Sequence, residues 1–143
     1  MKRIALLIAI AISSLTFAQK TNTTNAAMAY KSYEQVKYTD FEQAAKDLLE
    51  AKGFIDLSIA HVDTQNDPKT WMYYGFICIE IPICAQLSGD AELKAIDPEK
   101  SLTTGFDALK KSKELDTKET YVDVIADYCN FYRSNFSNAG ITM

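Results

Sequence analysis

The side chains that most often do chemistry are few in this sequence. Its 143 residues include one histidine, His61, and three cysteines, Cys78, Cys84 and Cys129. A cysteine becomes a catalytic nucleophile when a base lies beside it and a third group orients that base, and no such trio is placed by this sequence. A single histidine does not make a metal cluster either. We therefore expect no enzyme activity, no metal and no cofactor, and we interpret His61 as a surface residue close to a helix end.

The remaining chemical classes have even less support. Carboxylates are plentiful, but they fall on faces that the hydrophobic pattern predicts to be exposed, so no pair is set up for acid–base catalysis. The five glycines are too scattered for a phosphate-binding loop. The net charge of −4, with no basic cluster, argues against a nucleic-acid partner.

The first eighteen residues have the composition of a secretory signal peptide. Lys2 and Arg3 form a short positive segment, residues 4–17 are almost entirely apolar, and small residues precede a cleavage point after Ala18. The apolar run is shorter than the roughly 20 residues that span a membrane. We therefore expect export to the periplasm or the extracellular space, without a membrane span after cleavage. The short positive segment and the Phe-Ala-Gln-Lys ending resemble signal peptides of the Bacteroidetes group.

Export would expose the cysteines to an oxidising compartment. Cys78 and Cys84 would lie about 240° apart around a helix, so they are not expected to pair with each other. Two alternatives remain for the thiols. Either Cys129 forms a disulfide with one of the other two, or all three are small buried hydrophobes.

Apolar residues at helical spacing predict an all-α chain after a flexible leader at 19–24. Asp67 and Asp97 are predicted helix caps, and Pro68 and Pro98 fit the first helical position after them. Either Asp40 or Thr39 is predicted to cap the second helix. Asp116 and Glu119 are predicted to form a capping box. The predicted helices are 25–37, 41–61, 68–87 with a kink at Pro82, 98–115 and 118–135, with one helical turn at 91–95.

The helix that begins at Pro68 resembles the first helix of a tetratricopeptide repeat. Trp71, Tyr74, Gly75 and Cys78 follow the W-x-x-L-G-x-x-Y spacing of that family. The second helix of such a repeat carries a small, a large and a small residue at fixed spacing, and this pattern occurs twice. The repeat-signature residues are then Ala44, Leu48, Ala51, Trp71, Tyr74, Gly75, Gly105, Leu109 and Ser112.

This resemblance implies that residues 25–143 form antiparallel helical hairpins stacked as a short α-solenoid. The second repeat would carry an insertion from Pro82 to Asp97. The segment from Phe136 through Ala139 and Gly140 to Met143 would open a third repeat that the chain does not complete. An ordinary helical bundle with fortuitous spacing is the alternative architecture.

The resemblance also implies a function and a binding face. Repeats of this family bind a peptide or protein partner on the concave surface that their first helices form. The corresponding residues here are Tyr33, Lys37, Lys69, Met72, Phe76 and Glu80. The alternative for several of them is a place in the core beneath the insertion.

A second class of function is a secreted structural or envelope-assembly component. An unpaired last helix would expose an apolar face at Phe136, Ala139 and Met143. Such a face would associate with another chain or with a second copy, unless the chain is part of a longer repeat protein.

Overall fold

A computed structural model describes residues 21–138, with side chains described through residue 133. In that part of the chain there are six helices and no strand, which confirms the predicted all-α class. The predicted signal peptide lies outside the described residues. The helices are α1 (21–36), α2 (Phe41–Ile59), α3 (Pro68–Ser88), α4 (Ala91–Lys94), α5 (Pro98–Leu115) and α6 (Val122–Asn138).

The predicted flexible leader is instead helical over residues 21–24. Its polar composition suggested a free segment, but Thr23 is buried and its hydroxyl lies 3.0 Å from the hydroxyl of Thr70 on α3. A buried hydroxyl that is hydrogen-bonded avoids the free-energy penalty of an unsatisfied polar group. The first helix therefore begins earlier than the hydrophobic pattern indicated.

Three helices begin after an aspartate cap, as predicted for α3 and α5, and at α2 the cap is Asp40 and not Thr39. Asp40, Asp67 and Asp97 each accept a hydrogen bond from a backbone N–H in the first turn of α2, α3 and α5. Pro68 and Pro98 occupy the first turn of α3 and α5, where a missing N–H removes no helical hydrogen bond.

Helix α3 continues through Pro82 to Ser88. A proline inside a helix leaves the carbonyl four residues before it without its usual N–H donor, which here is the carbonyl of Cys78. The Ser101 hydroxyl of α5 donates to that carbonyl at 2.8 Å. The neighbouring helix thus supplies the hydrogen bond that the proline removes, and α3 is not ended there.

The predicted insertion consists of the last turns of α3 and the short helix α4. Gly89 ends α3 in the left-handed conformation, with φ +74°, which glycine adopts without steric cost. Asp90 then caps α4, and Leu93 of α4 is fully buried.

Helix α6 begins later than predicted, because the capping box does not form. The Asp116 carboxylate accepts the backbone N–H of Tyr121 at 2.6 Å, five residues further on. Glu119 has a positive φ of 54° and lies in the turn between the helices. The first helical residue is consequently Val122, not Lys118.

Helices α1 and α3 run parallel to each other. Thr23 meets Thr70 near one end of α1, and Tyr33 meets Glu80 near the other. In both pairs the partner is 47 residues further along the chain. Because the paired residues are equally far apart in the sequence at both ends, the two helices run in the same direction.

Helix α6 runs parallel to α3 on the same side. The Tyr128 hydroxyl donates to the carbonyl of Phe76, and Tyr132 donates to Glu80. Both contacts join residues 52 apart. The predicted third repeat therefore needs correction, since Phe136 lies inside α6 and does not open a new helix, and Ala139, Gly140 and Met143 lie outside the described residues.

Helix α5 packs antiparallel against α3. The Ser101 hydroxyl meets the carbonyl of Cys78, and the Ser112 hydroxyl meets the carbonyl of Pro68 at 2.7 Å. The residue number therefore rises on α5 as it falls on α3. Together with the short connection from α1 to α2, this packing is compatible with hairpins stacked in a solenoid.

The closest approach of α3 and α5 occurs where two glycines face each other. A Cβ atom on Gly75 would lie 2.5 Å from Cδ2 of Leu109, and one on Gly105 would lie 2.6 Å from Cγ1 of Ile79. No side chain larger than hydrogen fits without a shift. Among the predicted signature residues, Trp71 and Tyr74 are half-buried, whereas the others are buried in α2, α3 and α5, namely Ala44, Leu48, Ala51, Gly75, Gly105, Leu109 and Ser112.

Candidate functional site

The three parallel helices α1, α3 and α6 enclose a cavity of about 520 Å³. We call it the groove. Most of its wall is aromatic or aliphatic, and its few charged side chains come from α1 or from the turn that follows it. Its lining residues are Ala27, Tyr30, Lys31, Glu34, Lys37, Met72, Tyr73, Phe76, Val124, Tyr128, Phe131 and Tyr132.

Aromatic rings form a continuous wall across the groove. On the α1 side, Tyr30 stacks on Phe76 with ring centroids 5.9 Å apart, and its ring meets the edge of Tyr73 at 6.0 Å. On the α6 side, Phe76 and Tyr128 are 4.1 Å apart, and Tyr128 and Tyr132 are 4.7 Å apart. Phe76 is thus the ring at which the two halves of the wall meet.

A buried carboxylate lies among the same three helices. Glu80 of α3 is fully buried, and it accepts hydrogen bonds from the hydroxyls of Tyr33 on α1, at 2.7 Å, and of Tyr132 on α6. Lys37, just beyond the end of α1, forms an ion pair with Glu80 at 3.1 Å. A buried charge is tolerated when it is paired and hydrogen-bonded in this way. Glu80 therefore ties the three walls of the groove together.

The two tyrosines that donate to Glu80 are held in their neutral form. Burial, followed by the neighbouring carboxylate of Glu80, raises the pKa of both Tyr33 and Tyr132 well above the usual range. A hydroxyl that stays protonated remains a hydrogen-bond donor. Both tyrosines therefore remain donors to Glu80 even at a pH where an unperturbed tyrosine begins to ionise.

The six predicted binding residues occupy three different places. Lys37, Met72 and Phe76 line the groove. Tyr33 and Glu80 are buried and face each other, so their polar atoms serve the fold and are not presented to solvent. Lys69 lies in the first turn of α3 and is not among the groove residues.

Several groove residues were not identified from the sequence, and Tyr128 and Tyr132 are the clearest. Both lie at helical spacing on α6, but no repeat pattern assigned that helix to the concave side. The available signal was the run of aromatic residues on one face of α6, at Tyr128, Phe131 and Tyr132. Glu34 and Tyr30 on α1 were missed for a related reason, because the weak repeat match there selected other positions.

The three cysteines are free in the structure. Burial raises the pKa of Cys78 and of Cys84 to about 11, and it also raises the pKa of Cys129. A thiol with a raised pKa carries little thiolate and is a poor nucleophile. The structure therefore has no disulfide among them. Cys78 and Cys84 are buried, as the second alternative expected, whereas Cys129 is only half-buried. Cys129 also lines a second cavity of about 500 Å³ between α5 and α6.

Residues 21–138 contain neither a membrane-spanning helix nor a metal-binding cluster. No helix there has both the length and the apolar character needed to cross a membrane. The same residues contain no group of three or more histidine, cysteine, aspartate or glutamate side chains that could hold a metal ion.

Comparison with known proteins adds no family to this description. No protein-family model, no curated protein and no solved structure matches the chain.

Proposed function

We propose that this protein is an exported helical-repeat module that binds a peptide or protein segment in the groove. The observation that carries the proposal is the groove, a cavity of about 520 Å³ with an aromatic wall and a few charged side chains at one edge. Apolar clefts with a small number of polar groups are the usual form of binding sites.

The placement of the groove on three helices supports the same function. Side chains on packed helices hold their positions better than side chains on loops, so a bound segment meets a preformed surface. The parallel arrangement of α1, α3 and α6 is what the tetratricopeptide resemblance implies for first helices that share a concave face.

The groove also continues into exposed apolar surface. On α6, Val124 is 49% exposed and Phe131 is 52% exposed, and both line the cavity. Exposed apolar surface that is continuous with a cavity favours a partner longer than a small molecule, because a segment of chain can cover both. Export is supported by the signal-peptide composition of the first eighteen residues.

A peptide selection tests the proposal. The purified protein is used to select binders from a random peptide library, and the affinities of the winners are then measured with two groove variants, Val124→Ser and Phe131→Ser. Both are expected to weaken binding, since each removes apolar contact from the groove edge. Leu57→Ser is the matched control, because Leu57 is 56% exposed on α2 and lies outside the groove.

Equal losses in the groove variants and in the control would contradict a groove-binding module. Light scattering tests the alternative function, a structural or envelope-assembly component. If the protein assembles, and polar substitutions at Phe136 and Met143 break the assembly while the groove variants have no effect, the chain is an assembly component.

A further inference from the structure

The groove contains one carboxylate that the fold does not use. Glu34 of α1 lines the cavity, and within the described part of the chain it makes no hydrogen bond or ion pair. Glu80, by contrast, has three partners. Glu34 is thus an acidic group presented to whatever enters the groove.

The charge of Glu34 affects the tyrosines of the aromatic wall. Burial is the largest cause of the raised pKa of Tyr30 and of Tyr73, two rings of the wall. The charge of Glu34 adds to both, after that of Glu80 in the case of Tyr30. Burial also raises the pKa of Glu34 itself, an effect that Lys37 opposes and Glu80 reinforces. Glu34 is an exposed residue, but the groove removes part of the water around its carboxylate, so the carboxylate would gain from a cation that replaces that water.

The aromatic wall of the groove also favours a bound cation. The faces of tyrosine and phenylalanine rings are electron-rich and attract an ammonium or guanidinium group. The alkyl stem of a long basic side chain packs along apolar surface while its head reaches a polar group. A planar guanidinium fits this combination best, because it stacks on rings and pairs with carboxylates.

We propose that the groove receives a basic side chain, arginine above all, from the partner segment, with its stem along the aromatic wall and its head at Glu34. This inference rests on the proposed function and names the chemistry of the partner. Lys37, whose charge acts on Glu34, is already paired with Glu80.

Lys31 makes the proposal easy to test, because it offers the opposite charge at the same groove. It is exposed, lies three residues before Glu34 and also lines the cavity. If Lys31 selected the partner, an acidic side chain would bind. The two possibilities predict opposite preferences for one probe position.

The probe is the pentapeptide acetyl-Ala-Leu-Arg-Leu-Ala-amide, with citrulline or glutamate in place of arginine as matched probes. Citrulline keeps the size and shape of arginine without its charge. Each is titrated into the purified protein, and the aromatic ring signals are followed by NMR. The arginine peptide is expected to bind on the order of tenfold more tightly than the citrulline peptide. Glu34→Gln should reduce that difference to what the aromatic wall alone provides, and Lys31→Gln should leave it unchanged or enlarge it.

Several results would overturn the inference. These are equal binding of the arginine and citrulline peptides, tighter binding of the glutamate peptide that depends on Lys31, and no binding of the arginine peptide at millimolar concentration. The proposed function is judged separately. Library peptides that bind in a Phe131-dependent way, without basic residues and without sensitivity to Glu34→Gln, would uphold the groove and refute its preference for a cation.

Discussion

The two sides of α3 pack in opposite ways. Toward α5, Gly75 and Gly105 let the backbones approach so closely that no Cβ atom fits between them. Toward α1 and α6, Phe76 and the surrounding tyrosines hold the helices apart and leave a cavity. The backbones of α3 and α5 thus touch directly, whereas the buried Glu80 links α3 to α1 and α6. The helix is apolar almost all round, so hydrophobicity alone does not distinguish the two sides, whereas side-chain size does.

The largest effect is expected from removing the carboxylate that joins the groove side. Glu80→Ala would leave the Lys37 ammonium and two tyrosine hydroxyls without their acceptor, and loss of one partner from a buried pair costs about 3–5 kcal/mol. Urea denaturation followed by circular dichroism measures this change in the free energy of unfolding. Glu80→Gln is the control, because its amide oxygen still accepts a hydrogen bond and its smaller loss isolates the charge. A loss below about 1 kcal/mol in Glu80→Ala would show that the network does not hold the three helices together.

Alkaline pH should weaken the same side. Tyr33 and Tyr132 have raised pKa values in the folded protein, whereas in the unfolded chain they release their protons near pH 10. Above that pH the folded state binds more protons than the unfolded state, so stability is full below pH 10 and falls as the pH rises. The expected slope is about 1.4 kcal/mol per pH unit for each tyrosine.

Denaturant titrations between pH 9 and pH 11 measure that slope. The Tyr33→Phe and Tyr132→Phe variants serve as controls, and each should reduce it. A slope that neither variant changes would assign the alkaline sensitivity to other groups.

A single methyl group at the contact between Gly75 and Gly105 should lower the stability nearly as much as the loss of the Glu80 carboxylate. Gly75→Ala would bring a Cβ atom to 2.9 Å from the backbone carbonyl oxygen of Gly105 as well as into contact with Leu109. Overpacking of this kind costs about 1–3 kcal/mol. Gly105→Ala is expected to cost a similar amount, and thermal unfolding of both variants is the measurement. If either substitution stabilises the protein, α3 and α5 are not in the close contact described.

How far the sequence predicts this molecule differs between the same two sides. Close packing on the glycine side could be predicted from the sequence. Gly75 and Gly105 occupy positions that the two helix patterns of the repeat reserve for small residues, and small residues let helices approach closely. The groove side could not be predicted, because helical periodicity shows which residues share a face but not which helix that face will meet. Glu80 illustrates the point, since its repeat position indicated a surface residue while its burial depends on Tyr33 and Tyr132 from two other helices.

The start of α6 was missed for a different physical reason. The order of residues from Asp116 to Glu119 fits a capping box, but side-chain hydrogen bonds in turns compete with that geometry. Asp116 instead reaches the N–H of Tyr121, and the intervening residues form a turn. The caps at Asp67 and Asp97 were predicted correctly because a proline and a helical pattern follow each at once, whereas at α2 the sequence left Asp40 and Thr39 as alternatives.

The smallest expected effect comes from a glycine that touches neither side. Gly53 lies inside α2, is exposed, and has no atom within 4 Å of the place a Cβ would occupy. Gly53→Ala should therefore stabilise the protein by about 0.5–1 kcal/mol, because alanine is the better helix former and loses less conformational freedom. Thermal unfolding measures it beside Gly75→Ala. Both substitutions add the same methyl group and gain the same helix propensity, so the difference between them isolates the free energy of the contact between α3 and α5. If the two variants change stability by the same amount, the contact contributes nothing, and the contrast between the two sides of α3 must lie in the groove alone.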